Sequence, residues 1–294
     1  MRIAAAKYAV AAPASFADFG DRQRRLLEGV AARGARIALL PEYLSLELGA
    51  SFDAAVAGDL AATLAAIQRH REDWLALYSG IARDTGMLVV AGSFLLDVGG
   101  GRYRNRCDLF TPAGGHAWQD KLQLTGFEKQ AGSIEGGDAL KVFEHDGLRL
   151  AVAVCYDSEF PLPVRAQYEA GARLLLVPSC TDTAAGATRV RVGCLARALE
   201  NRCFVAHSVT TGAAPWSPAL DANTGEAALY APMDVGFPDD GVLASTRDGG
   251  DWAIADIDPA ALEASRDTAQ VANDRDWRGQ AMPPLATARV ERLD

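Results

Sequence analysis

Two stretches far apart in this chain repeat one phrase: Gly34-Ala35-Arg36-Ile37-Ala38-Leu39-Leu40-Pro41 and Gly171-Ala172-Arg173-Leu174-Leu175-Leu176-Val177-Pro178. In each, a glycine stops a helix, an apolar run follows, and a proline closes it. Runs without polar alternation read as strands buried on both faces, the kind found in parallel sheets covered by helices. The spacing is far too long for a solenoid repeat and predicts a pseudo-symmetric α/β domain instead. In such a domain Glu42 and Ser179 occupy related positions, each just past the C-terminal end of a strand, the edge where ligands sit in α/β architectures.

The rest of the chain alternates between the same two periods. Ile3–Val10 reads as an opening strand, Ala17–Ala32 as a helix stopped by Gly34, and Ile37–Leu40 as a buried strand. A helical region covers about Ala54 to Thr85, with a break near Arg69–Asp73, before a further buried strand, Leu88–Gly92. Gly99–Gly101 forms a turn, and Tyr103–Phe110 pairs antiparallel with Gly115–Gln119. Val142-Phe143 and Leu148–Val154 form a hairpin around Asp146-Gly147. Helix Pro163–Ala170, strand Leu174–Val177, helix Ala184–Asn201 and strand Phe204–Ser208 follow; hairpins then run to Ile257 and a short helix starts at Pro259. Without a Pro-, Gly- or Ser-rich linker, residues 1–294 are expected to form one domain, with a polar C-terminal arm from about residue 268.

Composition excludes several functions. A formal charge of −9, spread along 294 residues, lacks the basic footprint that nucleic acid or an anionic membrane surface requires. The apolar runs are short of the roughly 20 residues of a membrane span, and the N-terminus enters a strand without a signal-peptide pattern. Five cysteines without a CxxC pair, and four scattered histidines, argue against a disulfide framework or a clustered metal site, and for a reducing cytoplasm.

Three strand ends carry the chemistry. Cys155 follows Leu150–Val154 and precedes Tyr156-Asp157, so its side chain projects above the sheet and neighbouring N–H groups face an incoming oxyanion. Glu42 follows Pro41 at the end of an apolar strand, where burial raises a carboxyl pKa toward that of a base able to take a thiol proton. Lys121 leaves a strand and is followed by Leu122, Leu124 and Phe127, so apolar surroundings are expected for a cation that stabilises a developing negative charge. Glu128 is placed either to orient Lys121 or to dock substrate. Cys180, just past a strand end, reads as a wall of the cleft; Tyr43, Phe127 and Ser179 are the other expected substrate contacts, and Trp216 is a further apolar candidate.

Pro41-Glu42, Asp120-Lys121-Leu122 and Cys155-Tyr156-Asp157, in this order and spacing, resemble the Glu–Lys–Cys signature of the nitrilase superfamily of carbon–nitrogen hydrolases. Gly136-Gly137-Asp138, Phe160-Pro161 with Arg165, Val177-Pro178-Ser179, and Ala198-Leu199-Glu200-Asn201 with Phe204-Val205 extend the likeness, which runs from about Ile3 to Ile257. The resemblance implies a four-layer α-β-β-α sandwich that pairs as a homodimer, with no metal or organic cofactor. It further implies Cys155 as nucleophile, Glu42 as base, Lys121 and the Tyr156 N–H as oxyanion donors, and Glu128 as the second glutamate of many members. The chain departs from the amidase-like pattern at Glu159, where a basic residue is common, and at Leu162, where an acidic one is. An ω-amidase type of anionic substrate is therefore not implied, while Tyr156-Asp157 favours amides over nitriles. The expected reaction is hydrolysis of a small linear amide, with water as acyl acceptor. N-carbamoyl or nitrile hydrolysis, acyl transfer and a non-catalytic dimeric binding module are the alternatives. Cys155→Ala and Lys121→Ala are each expected to abolish turnover with the fold intact.

Overall fold

The computed structural model describes residues 1–293. Its first strand, β1 (Arg2–Ala9), shows how the layers arise. Side chains alternate across a strand, so Ile3 and Ala5 enter one apolar core while Ala4 and Ala6 enter another. Helix α1 (Phe16–Ala31), capped by the Ser15 side chain on the Asp18 N–H, covers the second core, and Gly34 turns the chain in the left-handed region. In β2 (Ile37–Leu39), Ile37 and Leu39 face the first core; Ala38, and Leu40 beyond the strand, face the second. The apolar run is continuous because both faces of this strand are buried.

The helical region breaks twice, into α2 (Ala54–Ala57), α3 (Leu60–Ile67) and α4 (Arg71–Thr85). The break near Arg69 was expected; the one at Gly58-Asp59 arises because Asp59 caps α3 through the Ala62 N–H. Strand β3 (Leu88–Gly99) runs well past Gly92, where its apolar pattern had been expected to end. It continues because Ser93–Gly99 pair with β4 (Arg102–Phe110) across a shift in register, and β4 pairs antiparallel with β5 (His116–Asp120). Helix α5 (Gly126–Ala131), β6 (Ile134–Glu135), and the hairpin of β7 (Phe143–His145) and β8 (Leu148–Val152) follow.

After β8, a short 3-10 turn over Cys155–Glu159 pushes the next helix, α6 (Pro161–Glu169), two residues nearer Cys155 than its expected start. Strand β9 (Leu174–Ser179), helix α7 (Ala184–Asn201) and strand β10 (Phe204–Thr211) complete the second half. The remaining strands are β11 (Ala228–Tyr230), β12 (Val242–Ser245) and β13 (Trp252–Asp256), and the short helices are α8 (Pro259–Ala264) and α9 (Asn273–Asp276).

Apart from the additional edge strand β5, the strand order β5-β4-β3-β2-β1-β10-β9-β8-β7 pairs off about the β1–β10 junction. β1 belongs to both halves: Ile3–Ala5 pair with β2, and Lys7–Ala9 pair with β10, both parallel. The repeated phrase thus forms β2 and β9, the equivalent strands of the two halves. Their inner faces share one core, in which Ile37 and Leu39 join Leu150, Val152, Leu174 and Leu176, while α1 with α4 and α6 with α7 form the outer layers. This is the expected α-β-β-α sandwich. Among the described residues no helix is long and apolar enough to cross a membrane.

Gly92 holds the turn after β2. Its φ is +70°, and a Cβ there would lie 2.1 Å from the Pro41 carbonyl oxygen. Because that obstacle is backbone, Gly92→Ala is expected to cost about 3 kcal/mol or more and to displace Glu42 with the turn. Urea unfolding of the variant measures the first effect and its catalytic rate the second.

Candidate active site

Glu42, Lys121 and Cys155, drawn from three strand ends, meet at the floor of one cleft of about 280 Å³. Cys155 opens the 3-10 turn with φ at +49°, and Tyr43, next to Glu42, has φ at +61°. Left-handed conformations in residues other than glycine are held only where the surrounding structure imposes them, and they concentrate at functional sites. Here the Ser93 hydroxyl accepts the Tyr43 N–H at 2.8 Å, and the Ser158 hydroxyl donates to the Cys155 carbonyl at 2.7 Å. Cys155 is therefore aimed as at a nucleophile elbow.

Lys121 is 1% exposed, yet its surroundings are not the apolar ones that Leu122, Leu124 and Phe127 suggested. Nζ is set between two buried carboxylates, 2.8 Å from Glu42 Oε1 and 2.9 Å from Glu128 Oε2. Burial alone works to lower the ammonium pKa; the two carboxylates overcome it and hold the pKa above its ordinary value. Glu128 thus lies beside Lys121.

The two glutamates differ in environment. Glu128 accepts from Lys121, from the Tyr43 hydroxyl at 2.7 Å and from the Thr125 N–H at 2.9 Å, the last within a capping box at the start of α5. Burial pushes its pKa up, but Lys121 and these donors outweigh that and leave it lowered. Glu42 accepts from Lys121, from Asn105 Nδ2 at 2.8 Å and from the Cys180 N–H at 3.0 Å. Its pKa is nevertheless raised, by burial first, against the pull of Lys121 and with repulsion from Glu128. Environments that push the pKa values of two carboxyl groups apart are one way a site can hold both an anion and a proton carrier. The Cys155 thiol is placed to donate either to Glu42 or to the Cys180 carbonyl, 3.6 Å away. Burial, then the Glu42 charge, raises the thiol pKa well above its ordinary value despite Lys121.

Among the expected contacts, Tyr43, Phe127, Tyr156 and Cys180 line the cleft; Phe127 is exposed at its mouth. Ser179 does not reach it. At the end of β9 it is fully buried beneath the cleft floor, its hydroxyl without a partner among the described residues, and the adjacent Cys180 takes the lining position by strand alternation. Trp216 packs beside Gly49 in the core under α3 instead of lining the cleft. Asn105 was missed. It bridges Glu42 and Glu128 through Nδ2 (2.8 and 3.4 Å), and its carbonyl accepts the Lys121 N–H. A buried asparagine within a strand is itself a signal, since strands are depleted of it.

Asp157 ties two of the three segments together. Buried beside the elbow, it accepts the N–H groups of Gln123 (2.7 Å), Leu122 (3.1 Å) and Val154 (3.2 Å), fastening the Lys121 loop to the nucleophile turn. Burial pushes its pKa up to about 6 against those donors, from an ordinary 3.8. The folded state therefore binds this proton more tightly than the unfolded state. Its contribution to stability is complete below about pH 4 and is lost as pH rises through about 6. Asp157→Asn is expected to flatten that pH dependence in urea unfolding. It should also cost about 1–3 kcal/mol, because an amide offers one acceptor oxygen where the carboxylate offers two.

A cysteine, a carboxylate and a clamped lysine on this sandwich define a class of enzyme site, and comparison with known proteins agrees with it. The carbon-nitrogen hydrolase family model matches residues 2–266, and the chain belongs to that family. It is 29% identical over 279 residues to the probable hydrolase YhcX of Bacillus subtilis, an alignment that covers 95% of this chain and 54% of that protein. The chain thus spans about half the length of that relative. It is also 23% identical to the omega-amidase NIT2 of Danio rerio, over 75% of this chain and 84% of that one. Its fold matches Saccharomyces cerevisiae Nit3, a nitrilase-superfamily member, with a TM-score of 0.74 at 17% identity, covering 94% of this chain and 96% of that one. An amidase from Nesterenkonia sp. matches at a TM-score of 0.69 and 24% identity, over 94% and 96% of the two chains.

Proposed function

We propose that this chain is an amidase that hydrolyses a small linear amide through a thioester on Cys155. The convergence of Glu42, Lys121 and Cys155 at the floor of one cleft carries the reading. Glu42 removes the thiol proton as sulfur bonds to the amide carbon. The carbonyl oxygen takes up the negative charge and is met by Lys121 and the Tyr156 N–H. An ammonium has three N–H bonds, and Glu42 and Glu128 engage two, which leaves one to face the substrate. The Tyr156 N–H lies in the first turn of the 3-10 segment, where helix termini leave donors free. Collapse of the oxyanion breaks the carbon–nitrogen bond, and the proton on Glu42 leaves with ammonia. Water then attacks the thioester, giving its proton to Glu42, and release of the acid returns that proton to sulfur.

The same reading includes a single domain over residues 1–294, a homodimer and a cytoplasmic setting; the five unpaired cysteines support the last. Incubation with a panel of amides, carbamoyl amines and nitriles, followed by intact-mass measurement, tests the reaction. Ammonia release with an acyl adduct on Cys155 is the expected result. A carbamoyl adduct or nitrile-only turnover would move the assignment within the family, and a panel without adduct or ammonia would end it.

A further inference from the structure

The catalytic cleft carries a charge pattern that its chemistry does not use. Three separate segments each bring a carboxylate to its walls: Glu159 from the nucleophile turn, Asp182 from the loop after β9, and Asp221 from the loop after β10. The opposing cations are both committed. Lys121 lies between Glu42 and Glu128, and Arg189 on α7 pairs with Glu159 at 3.5 Å. Among the described residues neither Asp182 nor Asp221 has an ion-pair partner. A substrate carrying a carboxylate would enter a cleft with no uncommitted cation and at least two like charges. A substrate carrying an ammonium or guanidinium would find three carboxylates in the lining of the cleft.

We propose that the amide substrate bears a cationic group remote from its scissile carbonyl, with Glu159 its principal receptor and Asp182 and Asp221 attracting it from the rim. The proposal rests on the amidase reading above and names the substrate class. Glu159 is suited to the task because it lies in the same turn as Cys155, so the sulfur and the receptor carboxylate move as one piece. Its side chain is one-fifth exposed, which keeps the charge partly shielded from water while leaving it reachable. Arg189, whose side chain is far more exposed, can swing to solvent when a substrate cation takes its place.

The test compares three linear primary amides of equal length, ending in an ammonium, a methyl group or a carboxylate. The ammonium form is expected to show the highest kcat/KM and the carboxylate form the lowest, with ammonium exceeding methyl by about tenfold or more. In Glu159→Gln the ammonium-to-methyl ratio is expected to fall about tenfold. Glu159→Lys should shift preference toward the carboxylate form, and Asp182→Asn gives a smaller shift in the same direction. The far-ultraviolet circular dichroism of each variant confirms folding, and the ratio itself is insensitive to a uniform loss of active protein. A wild-type enzyme that favours the carboxylate or ranks all three equally would overturn the proposal while leaving amide hydrolysis standing, as would a ratio unmoved in both Glu159 variants. Failure of all three amides to release ammonia or to form a Cys155 adduct would overturn the amidase reading and the proposal with it.

Discussion

Cys155→Ala is expected to lower amide turnover by about ten-thousand-fold or more, because no other group in the cleft is placed to form the acyl intermediate. Cys180 also lines the cleft, but its thiol is directed toward Asn223, and burial pushes its pKa up to about 12. The substitution removes only one small buried side chain, so the urea midpoint should change by about 1 kcal/mol or less in free energy. The strained backbone at Cys155 remains strained with alanine, which keeps the comparison confined to the sulfur. Ammonia release within about tenfold of the parent rate would remove Cys155 from the mechanism.

The second large effect falls on stability as well as rate, and here the structure revises what the chain alone implied. Lys121→Ala had been expected to leave the fold intact. With the lysine gone, Glu42 and Glu128 would face each other in a buried site, sharing only Asn105 as a common donor. Breaking a buried ion pair by deleting one partner costs about 3–5 kcal/mol, since a charge is left without compensation. One carboxyl must then take a proton, and the variant should become less stable as pH rises above neutrality. Lys121→Met with Glu128→Gln is expected to recover much of the stability, by removing one of the two stranded charges, and none of the turnover. Urea unfolding and ammonia release, measured on the same samples, separate the two roles. Recovery of activity in the double variant would show that Lys121 serves only to neutralise the carboxylates.

These expectations bear on how the site divides its labour. In the proposed mechanism the raised pKa of the Cys155 thiol calls for attack with proton transfer in place of a preformed thiolate. That mechanism places the transfer to Glu42 at substrate binding, when a carbonyl oxygen near Lys121 offers a place for the charge. Glu128, held ionised by Lys121, Tyr43 and Thr125, keeps Lys121 charged and so keeps its third N–H available. A single carboxylate would be a poor partner for both tasks, because accepting the thiol proton would leave the lysine unpaired. Two carboxylates around one ammonium avoid that.

Local pattern accounts well for the elements that close on themselves. Helix α7 begins and ends where its residues indicated, because Thr183 caps its first turn through the Gly186 N–H and Arg202 leaves it in the left-handed region. Strands β2 and β9 were legible as buried because their apolar runs have no polar face. The site residues on strand ends could be named for the same reason: a charged or nucleophilic side chain at the end of a buried strand has few other places to be. Where the reading went astray, a neighbour distant in sequence had intervened. β3 outruns its apolar stretch because β4 pairs with it, and Ser179 leaves the cleft because strand alternation hands the lining position to Cys180.

Residue order alone therefore determined the layered α/β architecture, the equivalence of its two halves, and the three candidate side chains that meet in the cleft, since periodicity and strand termini are properties of short segments. Tertiary packing decided the rest. Only the register of β4 brings Asn105 between two glutamates, and only burial beside Glu128 clamps Lys121 and raises the pKa of Glu42. Charge states depend on desolvation and on neighbours a few ångströms away, and neither is encoded within any one segment.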